Sequence, residues 1–261
     1  MFNEERALRP LIIAMRQALS AYRYEILLID DASTDTSPSL ATELAKNFAQ
    51  VKFLPSEVNR GKVAAVRRGI GLATGDIVVL HDADLEYDVN DLVNLIDPIL
   101  SDQCDITFGS RYRHSGTVHR SVHRMLNGLV TIASNFASGV WLSDCACATR
   151  AFRREILNAF ELRTRGFSLE VELVFWSAHS HARIMEVPVA YYPRLLEQGK
   201  KLRWWHGGAV LVNLAVLAWR FKFDAQTRAI TEQLQSRPEY AGYPPQIYLA
   251  PVDVDKNQRA D

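Results

Sequence analysis

Cysteine is scarce in this chain of 261 residues, which contains three, at positions 104, 145 and 147. Three cysteines are too few and too unevenly placed for a disulfide framework, and Cys145-Ala-Cys147 lacks the spacing of a zinc knuckle or a thioredoxin motif. A leader with a basic and then an apolar stretch is also missing, because Glu4 and Glu5 come almost at once. We therefore expect the folded part of the chain to work in a reducing, cytoplasmic compartment.

An excess of charge of either sign is absent as well. The 30 basic residues balance the 30 acidic ones, so the formal net charge is +0, and 48% of the residues are hydrophobic. This composition is that of an ordinary globular protein and not of a chain that coats a polyanion. We expect one large α/β domain with peripheral pieces and no nucleic acid partner.

No apolar run is long enough to cross a bilayer as a helix. The longest, residues 209–219, falls well short of the roughly 20 residues that a span requires. Basic and aromatic residues flank it, which is typical of a helix lying in a membrane interface, although a core helix has the same pattern. We predict a helix at 203–224 that is either interfacial or part of the core, a peripheral membrane contact or membrane partner, and a poorly ordered C-terminal tail at 225–261.

Segments with helical and strand-like patterns alternate along the first part of the chain. Apolar residues at helical spacing occur at 6–22, 36–48, 59–73 and 89–100, and short β-rich runs at 24–33, 51–57, 76–82 and 105–112. This rhythm predicts parallel βαβ crossovers in a mostly parallel, Rossmann-like sheet with helices on both faces. Farther on, we predict helices at 149–160 and 168–179, and an edge or bulged strand at 183–194 because it contains Pro188.

Acidic residues follow two of the predicted strands, at the sheet edge where ligands of such folds bind. Asp82, Asp84 and Glu86 stand at alternating positions, so they converge on one point if the chain stays extended. Hard oxygen ligands suit Mg²⁺ or Mn²⁺ bound to a diphosphate, whereas the simpler interpretation is a solvated acidic turn. Asp30 and Asp31 end the earlier strand, either as helix caps or as acceptors for a ribose hydroxyl or a base N–H.

Several cations stand near the same edge. Lys62 follows a Gly turn at a helix start, which favours an anion or is simply a tight turn. Arg111 follows a strand, and Arg124 ends a loop that contains several histidines. Residues 194–201, "RLLEQGKK", are basic and precede the interfacial segment. Beside a metal diphosphate, such arginines are candidates for binding phosphate oxygens, and the basic segment for meeting a lipid headgroup.

In their order and spacing, these segments resemble the family-2 glycosyltransferases with a GT-A fold, and among them the polyprenyl-phosphate sugar transferases such as dolichyl-phosphate mannose synthases. The resemblance runs from "FNEE" at residue 2 through "VVLHDADLEY" and "DITFGSRY" to "EVPVAYYPR" and "GKKL". It covers residues 1–202, which we take as a GT-A catalytic domain, and leaves the segments at 203–224 and 225–261 outside.

The resemblance implies roles for individual residues. Glu4 or Glu5 would hold the nucleotide, together with Asp30 or Asp31. Asp82 and Asp84 match the DxD pair of the family, and Glu86 stands where a third metal ligand is found. The implied phosphate- and cofactor-binding cations are Lys62, Arg111, Arg124, Arg150, Arg194 and Lys201. Asp144 and Arg150 match the ends of a "D-x-x-x-G-F-R" element, and Asp82, Asp84, Arg111 and Asp144 are the implied catalytic residues.

Two departures from the family pattern stand out. The "D-x-x-x-G-F-R" element reads "DCACATR" here, with Ala148 and Thr149 in place of Gly and Phe. This difference would alter the acceptor side of the site. Family members also begin with an apolar strand that pairs beside "EILLID", whereas this sequence starts at Met1-Phe2-Asn3. The first strand of the fold is thus missing, and a row of backbone groups in the core would lack partners. We therefore expect the sequence to be an N-terminally shortened form.

The resemblance implies inverting transfer of a hexose from a nucleotide diphosphate sugar, of the GDP-mannose or UDP-glucose type, to a polyprenyl phosphate. The reaction would take place at the cytosolic face of a membrane, with Mg²⁺ or Mn²⁺ as Lewis acid. A lipid phosphate needs no strong base, whereas transfer to a glycan or protein hydroxyl would need one, for which Asp144, Glu170 and Glu172 are available. A noncatalytic sugar-nucleotide binding module is the third alternative.

Overall fold

A computed structural model describes residues 1–113, 122–164, 166–193, 206–237 and 247–249. Helices and strands alternate through the first 110 residues, as the sequence predicts. The helices within these ranges are α1 (Glu5–Ala18), α2 (Ser37–Asn47), α3 (Lys62–Leu72), α4 (Asp91–Leu100), α5 (Val122–Ser138), α6 (Arg154–Ala159), α7 (Leu169–His179), α8 (His206–Phe223) and α9 (Ala225–Gln235). The strands are β1 (Ile26–Ile29), β2 (Val51–Leu54), β3 (Ile77–Leu80), β4 (Ile106–Ser110), β5 (Arg150–Arg153), β6 (Ile184–Pro188) and β7 (Ile247–Leu249).

The described strands form two sheets. β1 and β2 make a parallel pair, and the other five strands have the order β3-β5-β4-β6-β7. β6 runs parallel to β4 and to β7, whereas β5 runs antiparallel to both β3 and β4. The predicted α/β fold with mostly parallel strands is therefore confirmed, with one antiparallel strand inserted.

β5 corrects the helix that the sequence predicts at 149–160. Only Arg154–Ala159 is helical, and the preceding four residues form a strand. Phe152 joins the core on one face of the sheet and Ala151 the core on the other. Pairing with both β3 and β4 stabilises this strand, and such nonlocal pairing overrides the local helical pattern.

The large sheet separates two apolar cores. One contains Phe108 and Trp176 and lies among α5, α6, α7 and α8, and the other contains Leu11 and Leu95 and lies among α1, α2 and α4. Because both faces are covered, a central strand such as β4 is buried at all five positions. Helices therefore pack on both faces, as predicted.

A gap separates the two sheets. All four residues of β3 are only half-buried, although the strand is apolar. In β1, which is also apolar, Leu28 is the one buried residue. Ile26 and Asp30 donate backbone N–H groups to the β2 side, so the alternate amides at Leu27 and Ile29 point to the opposite edge of β1. That edge and β3 line the same cavity. The predicted gap beside β1 is thus present.

Met1 lies at one end of this gap. Its amino group donates to the Ile29 carbonyl at 2.6 Å, and its carbonyl accepts from Asp31 N–H at 2.9 Å. These two bonds are those of one rung of a parallel ladder. Burial lowers the pKa of the Met1 amino group, because the charged form loses water, although nearby carboxylates oppose the shift. That the gap reflects a shortened sequence stays a prediction.

Two later predictions are corrected. β6 is not an edge strand, because it lies between β4 and β7; Pro188, its last residue, stands beyond the stretch Ile184–Glu186 that pairs with β7. The segment predicted as a poorly ordered tail contains α9, whose first turn is capped by Asp224 and whose Leu234 is buried.

None of the described helices is both long enough and apolar enough to cross a bilayer.

Candidate active site

A cavity of about 1670 Å³ opens at the carboxyl ends of β1 and β3 and continues into the gap between them. Its charged end is the crevice that the sequence predicts at this edge. The charged residues at this end include Glu4, Asp31, Lys62, Asp82, Asp84, Glu86, Arg111 and Glu170. The structure therefore brings together both acidic strand ends and two of the predicted cations.

The sequence predicts that the segment carrying the acidic residues is extended, but in the structure it is not. It forms a turn in which Leu85 has a φ of 57°, and the Glu86 N–H donates to Asp84 Oδ1 at 3.2 Å. The Tyr191 hydroxyl donates to Glu86 Oε2 at 2.7 Å, which draws Glu86 towards the end of β6. The prediction that Asp82, Asp84 and Glu86 converge along an extended chain is therefore wrong.

A cation already lies against Asp82. The Lys62 ammonium is 2.8 Å from Asp82 Oδ1, 2.9 Å from Asp82 Oδ2 and 2.8 Å from Glu170 Oε1. Burial disfavours charge on both partners, yet their attraction prevails: the pKa of Lys62 is raised, and that of Asp82 is lowered. The lysine, predicted as an anion-binding group, thus neutralises the acidic end of β3.

These contacts bear on the predicted metal site. Carboxylates of Asp82 and Asp84 have the donor chemistry that Mg²⁺ and Mn²⁺ prefer. Among the described residues, however, no three carboxylate, imidazole or thiol side chains are grouped around a point that could hold a metal ion. The donor type fits a divalent cation, and the Lys62 ammonium contacts both oxygens of Asp82.

The backbone before Lys62 is held by Asp31. Its two carboxylate oxygens accept the N–H groups of Arg60 and Gly61, both at 2.8 Å. Gly61 has a φ of 86°, a left-handed conformation that glycine adopts without strain, and Lys62 is the next residue and the first of α3. Asp31 therefore sets where the Lys62 side chain begins.

The other predicted nucleotide-binding acids are mostly engaged locally. Asp30 accepts from the backbone and the hydroxyl of Ser33, and Glu5 accepts from the Thr36 hydroxyl at 2.6 Å. These bonds order the loop between β1 and α2. Glu4 and Asp31 line the cavity, whereas Glu5 and Asp30 do not, although Asp31 also accepts two backbone N–H groups.

Arg111 and Asp144 form a close ion pair. Arg111 Nε lies 2.7 Å from Asp144 Oδ2, and Nη2 lies 2.8 Å from Oδ1. Burial opposes charge on the guanidinium, but Asp144 outweighs it and raises the pKa of Arg111. Asp144 is buried and both its oxygens bond Arg111, which holds the guanidinium in place.

Arg150 is a correction to the predicted phosphate-binding set. Its side chain is buried, and its three donor nitrogens bond the carbonyl oxygens of Cys145, Cys147 and Glu170. The guanidinium therefore ties the 145–147 loop to the start of α7. The predicted Arg194 and Lys201, and the side chain of Arg124, lie outside the part of the chain that the structure describes.

Two residues of the site were assigned no individual role from the sequence. Glu186 in β6 is buried, and its Oε1 accepts the N–H groups of Ser143 at 2.8 Å and Asp144 at 3.2 Å. Tyr191 bonds Glu86, and the Arg111 guanidinium lies 5.1 Å from its ring centre. Both lie in the segment "EVPVAYYPR" that carries the resemblance, but the sequence predicts no role for either, because their partners come from distant segments.

Comparison with known proteins agrees with this geometry. The sequence profile of glycosyl transferase family 2 matches residues 1–160. The chain belongs to this family. The family-2 relatives by sequence include the dolichol-phosphate mannosyltransferase of Pyrococcus furiosus, 30% identical over 203 residues, which are 76% of this chain and 56% of the relative. The polyprenol monophosphomannose synthase of Mycolicibacterium smegmatis is 30% identical over 208 residues, 76% of this chain and 77% of the relative.

Solved structures confirm the GT-A fold of this family-2 chain. Glucosyl-3-phosphoglycerate synthase of Mycobacterium tuberculosis superposes with a TM-score of 0.59 at 18% identity, covering 84% of this chain and 77% of that one. The complex of that protein with Mn²⁺, UDP-glucose and glycerol 3-phosphate gives a TM-score of 0.55 at 19% identity, with 84% and 76% coverage. At this identity, the likeness establishes the fold alone.

Proposed function

We propose that this chain transfers a hexose from a nucleotide diphosphate sugar to a polyprenyl phosphate, with inversion at the anomeric carbon. The observation that carries the proposal is the position of α5, which borders the charged crevice on one side and an exposed apolar surface on the other. A polyprenyl phosphate has the same two parts, an anionic head and an apolar chain. The names of the two family-2 relatives, both of which act on such lipids, support it.

The apolar surface is built by two helices in contact, α5 and α8. Each exposes four large apolar side chains with identical spacing, and the exposed Lys222 borders the surface at Phe223. The exposed residues of this two-helix apolar face are Met125, Leu129, Ile132 and Phe136 on α5 and Val212, Val216, Trp219 and Phe223 on α8. A contiguous apolar surface of this kind marks an interaction site, and an apolar chain or the bilayer itself fits it.

The crevice begins on the opposite side of α5. Leu126, Asn127 and Val130 of this helix line the cavity that also contains Asp82 and Arg111. A lipid whose chain follows the two-helix apolar face therefore reaches the charged residues within the thickness of one helix, about 10–12 Å. This continuity supports a lipid phosphate as acceptor and a peripheral contact with the membrane.

The disposition of the acids supports a phosphate acceptor over a hydroxyl. Of the three candidate bases, Asp144 is bound to Arg111, and Glu172 is buried against Arg220 at 2.6 Å. Glu170 alone of the three lines the cavity, and it contacts Lys62. A phosphate oxygen is already ionised near neutral pH and attacks without a base. Arg111, held by Asp144, is placed to bind an anionic oxygen in the crevice.

On the donor side, Glu4 and Asp31 are the acids placed to hold the nucleoside, and Asp82 and Asp84 are those placed to hold a divalent cation. When bound, such a cation supplies Lewis-acid stabilisation of the leaving diphosphate. Lys62 lies beside Asp82 and adds a further positive charge for the diphosphate. The base of the nucleotide and the hexose stay open between the GDP-mannose and UDP-glucose types.

A matched pair of acceptors tests the proposal. Purified chain is incubated with GDP-mannose or UDP-glucose and Mn²⁺ or Mg²⁺, together with either a polyprenyl phosphate or the corresponding polyprenol. We expect glycolipid from the phosphate and none from the alcohol. Equal use of the alcohol would overturn the phosphate acceptor and favour Glu170 as a base. No transfer with any donor, despite nucleotide binding, would favour the noncatalytic module.

A further inference from the structure

The crevice contains a lysine where a divalent cation would be expected. Lys62 contacts both oxygens of Asp82 and one oxygen of Glu170, all within 2.9 Å. We propose that Lys62 is a resident counter-ion of Asp82, which a divalent cation displaces efficiently only when it arrives as a complex with a nucleoside diphosphate. This inference rests on the proposed function and concerns the order in which the site is filled.

Lys62 is held on the backbone side. Asp31 fixes the N–H groups of the two residues before it, and α3 begins at Lys62 itself. A side chain that starts from a fixed helix terminus has a limited range of ammonium positions. The Lys62 ammonium therefore stays near Asp82 after a cation has displaced it from the carboxylate.

Glu170 holds the ammonium on its other side. This carboxylate is largely shielded from water, with 12% of the side chain exposed, and Arg150 bonds the carbonyl oxygen of the same residue at 2.7 Å. Glu170 is thus a fixed anion from the start of α7. Lys62 bridges two anions that come from β3 and α7, and losing one of them leaves it bound to the other.

This arrangement disfavours a free divalent cation. An ion on Asp82 would lie within a few ångströms of an ammonium that Glu170 also holds, and like charges in this partly exposed crevice repel each other. A nucleoside diphosphate changes the balance, because its phosphate oxygens give Lys62 a replacement for Asp82. Cation and diphosphate should therefore bind with positive coupling, and thermodynamic linkage makes the coupling equal in both directions.

Binding of Mn²⁺ tests this directly, with electron paramagnetic resonance reporting free ion and without any turnover. The variant Lys62→Met removes the ammonium, and the variant Lys62→Arg keeps a positive charge. The variant Lys46→Met makes the same change of charge on the exposed face of α2 and is the matched control. Each is titrated with Mn²⁺ alone, and then with Mn²⁺ in the presence of UDP and of GDP.

We expect Lys62→Met to bind Mn²⁺ alone at least tenfold more tightly than the wild type, and to lose most of the enhancement that the nucleotide produces. Lys62→Arg and Lys46→Met should keep weak binding of the free ion and strong coupling. The double variant Lys62→Met/Glu170→Gln removes one charge of each sign, so it keeps the net charge of the crevice. It should also bind free Mn²⁺ tightly, which separates the effect from destabilisation by two unpaired acids.

Two outcomes would overturn the inference in different ways. If wild type and Lys62→Met bind Mn²⁺ with equal affinity and equal coupling, Lys62 is an ordinary structural ion pair, while the proposed function survives. If neither protein binds Mn²⁺ with or without either nucleotide, the metal part of the proposed function fails and the inference fails with it.

Discussion

The Arg111 guanidinium and the Asp144 carboxylate face each other with two bonds, at 2.7 and 2.8 Å, and the carboxylate is fully buried. In a third bond, the backbone N–H of Arg111 donates to Asp144 Oδ2 at 3.2 Å. The pair connects the end of β4 to the loop before β5. It therefore fixes one wall of the crevice, and Asp144 acts on the site through Arg111.

We predict that Asp144→Asn destabilises the fold and weakens transfer. Removing one charge of a buried pair leaves the other without its partner, which typically costs about 3–5 kcal/mol. Urea unfolding measures the free energy of unfolding, and initial rates at saturating donor measure transfer. Asp76→Asn, at an exposed position, is the control. If Asp144→Asn unfolds at the same urea concentration as the control, the pair has no structural role.

The gap between β1 and β3 leads to a prediction about the N-terminus. Met1 already forms one rung of a parallel ladder with β1, and the cavity beyond it is lined by Ile26–Ile29 on one side and Ile77–Leu80 on the other. The sequence of a strand that is buried within a parallel sheet is typically a continuous run of apolar residues. An extended apolar segment added before Met1 is therefore expected to fill the gap.

Adding such a segment should stabilise the protein. We expect a six-residue extension rich in Val and Ile to raise the melting temperature by several degrees, because each new backbone hydrogen bond contributes about 1 kcal/mol net. Hydrogen exchange should slow at Leu27 and Ile29. An extension of equal length with Pro at alternate positions is the control, since proline donates no N–H. Identical melting of the two extended proteins would contradict the prediction.

The sequence predicts the fold better than it predicts the contacts within the site. Asp31 and Asp82 were placed correctly at strand ends, because apolar runs and acidic ends are local patterns. The turn at Leu85 was missed, since its left-handed backbone and the bridge between Tyr87 and Tyr191 depend on a segment about 100 residues away. Arg150 looked like a phosphate ligand because a sequence does not reveal whether a guanidinium is buried among carbonyl oxygens.

The two-helix apolar face should bind lipid bilayers. We predict that the double variant Phe136→Ser/Trp219→Ser binds polyprenyl phosphate-containing vesicles at least tenfold more weakly, because each buried aromatic side chain contributes about 1.5–3 kcal/mol. Vesicle co-sedimentation measures the partition. Ile13→Ser/Leu72→Ser alters exposed apolar residues on α1 and α3 and is the matched control. Equal loss in both double variants would indicate nonspecific adsorption.

Glu186 leads to a prediction about pH. Burial raises the pKa of this carboxyl, and the neighbouring Asp144 charge adds to the shift, whereas the two backbone donors act in the opposite direction. The folded protein therefore binds this proton more tightly than the unfolded chain does. The stability contributed by the group is complete below the unfolded pKa, near 4.3, and is lost as the pH rises through the folded value.

Glu186→Gln should remove this loss. Both backbone donors bond a single oxygen, Oε1, so an amide oxygen can accept them without carrying a buried charge. We expect the variant to gain free energy of unfolding relative to the wild type as the pH rises from 4.5 to 8, by about 1.4 kcal/mol for each unit of pKa shift. Urea unfolding across this range measures the difference, with Glu57→Gln on the exposed surface as control. A difference that stays constant with pH would mean that Glu186 is ionised equally in the folded and unfolded protein.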